Sequence, residues 1–284
     1  NPLFMVNRNT MYSLLHKSVG QSIVELCQDP KYLGAVPGII QVLHTWNQRL
    51  LFHPHIHAVV SGGGLTEDRK LKVLEKNSFF IAESVLSAMF RGKFLDGLEK
   101  LYHSGKLIIP AALGSLENPA DWSSFRDRLY TRKWVAHVKE TFNGNGNAIE
   151  YLGRYTNKIA ITDSRIVSVS GEAVTFTVRG ADGKQSETVT ITPVEFIMRY
   201  LLHVLPKGFQ KIRYYGYLNN SRRRDNMLLI FNLQGFRQFL QKCKGMDSAA
   251  VIMAKWGYDI CACPHCSSHK MITLFRTRSQ CASG

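Results

Sequence analysis

The sequence contains no run of about 18 apolar residues, the length a helix needs to cross a bilayer, so no membrane span is expected. No charged-then-apolar leader opens the chain, and nothing in it points to export. There is no glycine-rich loop ending in Gly-Lys-Ser/Thr, which sets ATP chemistry aside. No internal repeat is present. The six cysteines do not form a disulfide framework for 284 residues: Cys27 and Cys243 are isolated, whereas Cys261, Cys263, Cys266 and Cys281 crowd the carboxyl-terminal end. A reducing, cytoplasmic setting is expected from that usage.

Acidic residues are also scarce. Asp and Glu total 21 against 36 Lys and Arg, a net charge of +15 and a pI near 9.7. Such an excess points to a polyanionic partner, because neutralised phosphates release counterions, and nucleic acid is the first to consider. With 45% hydrophobic and 20% charged residues the chain reads as globular, long enough for one large domain or two ordinary ones. It starts at Asn1 rather than Met and is expected to be part of a longer protein.

Taken in order, Asn9 or Thr10 is placed to cap a helix carrying Leu15, Val19, Ile23 and Leu26 at helical spacing. Residues 39–43 are β-rich, residues 49–52 read as a connection, and HPHIHAVV alternates as a strand ended by Gly62, Gly63 and Gly64. The two strands are expected to pair antiparallel. A long amphipathic helix is predicted over 79–102, a loop over 110–119, and a second, strongly basic helix over about 121–142. NGNGN at 143–147 breaks that helix and hinges the next. Three β-rich runs between Arg165 and Thr192 predict a meander, and Thr192, Pro193 and Glu195 predict a capped helix start. A last helix is expected near 234–243.

Two motifs carry chemistry. On a strand, His55 and His57 point to one face about 7 Å apart and can converge on a divalent ion, with His53 on the same alternate set. The plainer alternative is that one histidine satisfies a buried hydrogen bond and the others are solvated. In EYLGRYTNK, residues 150–158, a helix would place Tyr151 and Tyr155 one turn apart on one face, with Arg154 between them and Lys158 beyond. A metal that polarises phosphate oxygens and a phenol that attacks phosphorus together make a phosphodiester transesterase. The phenol, with a pKa of about 10, needs nearby positive charge, which the metal, Arg154 and Lys158 could supply. The basic residues Arg132 and Lys133 are candidates for tracking DNA phosphates. So is LPKGFQKIRYYGYLNNSRRR at 205–224, where Lys207, Lys211, Arg213 and Tyr215 interleave cations with rings that could stack on bases. At the tail, Cys263 and Cys266 make one Cys-x-x-Cys knuckle that His269 or Cys281 could complete as a structural zinc site.

HTWNQRLLFHPHIHAVVSGGGL, EYLGRYTNKIAITDSRI and LPKGFQKIRYYGYL closely resemble the rolling-circle transposases of the insertion-sequence ninety-one family, the two-tyrosine group of HUH endonucleases. YLGRYTNK also looks like the paired-tyrosine motif of small-phage rolling-circle initiators. The resemblance covers about residues 1–220. It implies His55 and His57 as metal ligands, Tyr151 and Tyr155 as nucleophiles, Lys158 at the scissile phosphate, and Mg or Mn as the ion. Gln48, His44 and Asn157 stay open as the third ligand. It further implies an α+β fold with an antiparallel, ferredoxin-like sheet, action on single-stranded DNA at transposon ends, and a bacterial, cytoplasmic setting. Family members usually carry a cysteine-rich module and a first sheet strand ahead of the position that is Asn1 here. The expected organisation is a nuclease core over 1–164, a meander with a basic and aromatic region over 165–245, and a tail over 246–284. A catalytically inactive DNA-binding remnant, a replication initiator or relaxase, and an iron oxygenase using two histidines and a carboxylate are the alternatives that these motifs leave open.

Overall fold

Residue-level description in the computed structural model covers 2–74, 81–139, 152, 153, 156, 159–179, 186–235, 245–257, 259–263 and 266–269. The chain is α+β with antiparallel sheets, the class expected. Two units are distinguished, Asn1–Met227 and Leu228–Gly284, and the division falls inside a helix.

The first unit is built on a four-stranded sheet, in which β1 (Val36–Trp46) is flanked by β2 (Phe52–Leu65) and β7 (Ile212–Gly216), and β3 (Leu71–Val73) borders β2. Its middle is the expected pair, β1 (Val36–Trp46) and β2 (Phe52–Leu65), antiparallel with His44 opposite His55 and Val42 opposite His57. Side chains alternate along a strand, so the two faces of β1 divide its sequence. Ile39 and Leu43 join apolar clusters that include residues of α2 (Arg8–Gln28) and α3 (Glu83–His103), which cover one face. Val42 and His44 point to the other.

Helix α2 starts before the expected Asn9 or Thr10, preceded by a short α1 (Pro2–Val6). Asn7, at the junction, spends its side chain on longer links: Nδ2 donates to the carbonyls of Leu3 and Ile108, and Oδ1 accepts from the Ile108 N–H. Helix α2 lies close on the sheet because Gly20 leaves room for the Tyr215 ring; a Cβ there would sit 2.4 Å from it.

Three further expectations need correction. Gly62, Gly63 and Gly64 do not end the histidine strand but lie inside β2, because β3 (Leu71–Val73) pairs with it there. A Cβ on Gly64 would meet the Val36 carbonyl at 2.5 Å. The stretch 110–119 contains a 3-10 helix, Ala111–Glu117. The basic helix, α4 (Pro119–Thr131), is shorter than predicted: the chain turns extended at Arg132, and Trp134 folds back to donate to the Leu129 carbonyl and pack on Phe90 and Phe94. Within 205–224, a stretch given no element from sequence, β7 (Ile212–Gly216) pairs antiparallel with β1.

The meander is as expected: β4 (Ile166–Val169), β5 (Val174–Arg179) and β6 (Ser186–Ile191) form a three-stranded antiparallel sheet. Helix α5 (Pro193–Leu201) follows, with Thr192 Oγ1 accepting from the Glu195 N–H at 3.2 Å as its cap. These elements hold the β1–β2 turn. Leu50 sits there at φ 58°, a costly conformation for a branched side chain. It is retained because Leu50 is fully buried with Phe176, Val178 and Ile161, while Arg199 and His203 donate to the carbonyls of Arg49 and Leu50.

Helix α6 (Arg223–Leu233) is an additional element, and the helix expected near 234–243 lies almost wholly outside the described residues. In the second unit, α7 (Ser248–Trp256) is capped by Asp247 and stopped by Gly257 in the left-handed region at φ 65°, a helix the periodicity reading did not anticipate.

Candidate metal centre

His44, His55 and His57 form the one group of three or more potential ligands among the described residues, each offering a nitrogen within 4.8 Å of the others. The strand register explains the gathering. Cross-strand partners share a face, so pairing His44 with His55 brings a β1 imidazole beside the two from β2. The His44 ring lies 4.5 Å from that of His57 and 5.6 Å from that of His55. His44 is buried, His55 and His57 half-buried.

The tautomer of His55 is set locally. Its Nδ1 lies 2.7 Å from the His53 carbonyl, which can only accept, so Nδ1 carries the proton and the Nε2 lone pair is left for a ligand or donor. That Nε2 is 3.2 Å from His57 Nε2. Two ligands about 2.1 Å from one ion, in tetrahedral or cis-octahedral positions, stand roughly 3.0–3.4 Å apart, so the spacing accommodates a metal without rearrangement. His53 does not join the group by its ring; it contributes the carbonyl that orients His55. Of the three open candidates for a third ligand, His44 lies in the group, Gln48 is exposed in the β1–β2 turn, and Asn157 is outside the described residues.

The group has a neighbour that sequence reasoning missed. A register shift between His44 and Trp46 brings the two rings into a stack, with centroids 4.6 Å apart and planes 17° apart. Lys211 Nζ lies 5.6 Å from the centre of the Trp46 ring and donates to the Thr156 carbonyl at 3.1 Å. Burial lowers the Lys211 pKa. His203, also missed, lies edge-on to Trp46; its Nε2 donates to the Leu50 carbonyl and its Nδ1 accepts from Thr45 Oγ1. Burial lowers the His203 pKa, which suits that neutral tautomer. The signal for both was faint: HTW and HVL lie in segments whose alternation gives no hint of the bulge or the turn.

The other expected residues divide. Tyr151, Arg154, Tyr155 and Lys158 lie outside the described residues, as does the 143–147 hinge; among their neighbours Leu152, Gly153 and Thr156 are helical. Arg132 and Lys133 are exposed beyond α4, and Lys207 is exposed before β7. Arg213 and Tyr215, opposite Gln41 and Ile39, lie on the helical face, away from the histidines. The Arg213 guanidinium donates to Ser13 Oγ at 2.9 Å, and burial against α2 raises the Tyr215 pKa. The tail cysteines contribute no ligand group among the described residues, so the zinc expectation gains no support.

Residues 38–225, more than half of the chain, match the family described as "Putative transposase", and the chain belongs to that transposase family. Among similar proteins, "Putative transposase y4qJ" of Sinorhizobium fredii (strain NBRC 101917 / NGR234) is 34% identical over 282 residues, covering 94% of this chain and 68% of the relative. "Transposase for insertion sequence element IS801" of Pseudomonas savastanoi pv. phaseolicola is 30% identical over 225 residues, covering 77% of this chain and 51% of the relative. No solved structure matches significantly. No helix among the described residues is long and apolar enough to cross a membrane.

Proposed function

We propose that this transposase nicks single-stranded DNA at transposon ends by tyrosine transesterification, in a rolling-circle mode of transposition. The observation that carries the reading is the grouping of His44, His55 and His57 on one sheet face, linked through Trp46 and Lys211 to Thr156, which directly follows Tyr155 in sequence. Three neutral imidazoles fit a divalent transition metal better than Mg, so of the two ions expected Mn is favoured. Once bound by these histidines, the ion would polarise a non-bridging phosphate oxygen and stabilise charge on five-coordinate phosphorus.

The chain's own residues do the rest. Tyr151 or Tyr155 loses its phenolic proton and attacks phosphorus, the bond to the 3′ oxygen breaks, and that oxygen takes a proton to leave a 3′ hydroxyl. A 5′ phosphotyrosine conserves the bond for strand transfer. Arg154 and Lys158 favour the phenolate electrostatically, and the second tyrosine allows a second cleavage while the first end stays attached. Lys211 ties the Thr156 carbonyl to the Trp46 ring that stacks on His44.

The test is a single-stranded oligonucleotide carrying an element end, labelled at its 5′ or 3′ terminus and incubated with protein and Mn²⁺ or Mg²⁺. The 3′-labelled fragment is expected to migrate as a protein adduct, the 5′-labelled one to be released, and both products to vanish in Tyr151→Phe/Tyr155→Phe. An adduct that persists in the double variant, or cleavage indifferent to metal, overturns the reading.

A further inference from the structure

Between α2 and α3, on the sheet face opposite the histidines, runs an open groove of about 700 Å³. Its lining includes Lys17, Lys93, Lys100, Lys106 and Arg213 against a single carboxylate, Asp96, with hydroxyls from Thr10, Ser13 and Ser18 between them. Part of the charge is compensated: Lys100 pairs with Asp96 at 2.7 Å and Lys93 with Glu25 at 2.5 Å. Lys17 and Lys106 are exposed and form no ion pair among the described residues. Arg213 is fixed in place, donating to Ser13 Oγ with its guanidinium 5.1 Å from the centre of the Phe209 ring, and its Nε is buried without a hydrogen-bond partner. A fixed guanidinium flanked by uncompensated lysines and short hydroxyls is the chemistry of phosphate recognition.

We propose that this groove is a second DNA-binding site, which holds the phosphate backbone of a segment other than the one being cut. Size separates a strand from a lone anion. From Thr10 to Gln21 the lining follows α2 for roughly 16 Å, over which one strand of a B-form duplex carries about five phosphates. Topology separates the two segments, because β1, β2 and β7 stand between this groove and the histidine face. The inference rests on DNA as the partner and is independent of the tyrosine chemistry.

The experiment measures binding of the full chain to labelled duplex and single-stranded oligonucleotides over a range of salt, for wild type, Lys17→Glu/Lys106→Glu, and the charge-matched control Lys31→Glu/Arg179→Glu. The groove variant is expected to bind at least about tenfold more weakly, with the slope of log affinity against log salt shallower by about two on duplex, and the control to change far less. Loss on duplex alone assigns the groove to flanking double helix; loss on both forms assigns it to backbone in general. Acetylation of wild-type lysines with and without DNA gives a readout that needs no variant, with Lys17 and Lys106 expected to be protected. Equal losses in the groove and control variants, or undiminished acetylation of Lys17 and Lys106 in saturating DNA, overturn the proposal. If wild type binds DNA but forms no covalent adduct, the nicking reading fails while the groove is still tested by these binding data.

Discussion

The two faces of β1 answer the same backbone with opposite chemistry. On the helical face, Ile39, Gln41 and Leu43 are buried and finished: the apolar side chains join the packing of α2, and the Gln41 amide is satisfied within the protein. With its nitrogen turned to His16, that amide donates to Nδ1 at 2.8 Å and to the His16 carbonyl at 3.1 Å, and its oxygen accepts from the Gly20 N–H at 2.9 Å. On the other face, the imidazoles of His44, His55 and His57 converge with ring nitrogens close enough to share an ion. The histidine of the helical face is held by an amide; the three on the other face stand together at a spacing that fits one ion. The difference lies in partners rather than residue type, which is why a count of histidines would not have found it.

The largest effects are expected at the candidate ligands. His55→Ala or His57→Ala is expected to reduce strand cleavage by more than about 100-fold, since even changes to groups that only orient ligands cost 10–100-fold, while thermal stability stays near wild type. Cleavage assays paired with melting curves check this. Leu43→Ala should give the reverse pattern: a loss of about 2–5 kcal/mol of stability from the core cavity, with metal affinity little changed in the folded protein, measured by denaturant unfolding and calorimetric titration.

His16 gives a test by pH. Burial pushes its pKa down to about 4, against 6.5 for an unperturbed imidazole. The unfolded chain therefore binds this proton more readily, and stability is fully present above pH 6.5 and falls as pH drops towards 4, by on the order of 3 kcal/mol in all. Unfolding measured across that range should lose much of this slope in His16→Gln. The mildest change is Gly20→Ala. Its methyl group would overlap the Tyr215 ring, so a loss of about 1–3 kcal/mol is expected from overpacking on the helical face, with nicking of the remaining folded protein unaffected.

Much of this was legible in sequence. Alternation located β2, the three β-rich runs gave the meander, and Thr192-Pro193 marked a helix start that the Thr192 cap realises. What escaped depended on partners distant in the chain. Gly62 to Gly64 read as a stop because a local pattern cannot announce that β3 will pair beside them. Arg213 and Tyr215 read as one surface with Lys211, yet within β7 they face α2, whereas Lys211 lies just ahead of the strand and its amine reaches Trp46. His44 was one of three open choices for a third ligand, and only the register shows that it lies opposite His55.

The most direct measurement is electron spin-echo spectroscopy of the chain loaded with one equivalent of Mn²⁺. A single ion coupled to imidazole nitrogens is expected, with coupling progressively lost in His44→Ala, His55→Ala and His57→Ala. A bound ion without nitrogen coupling, or coupling unchanged in all three variants, would contradict that expectation.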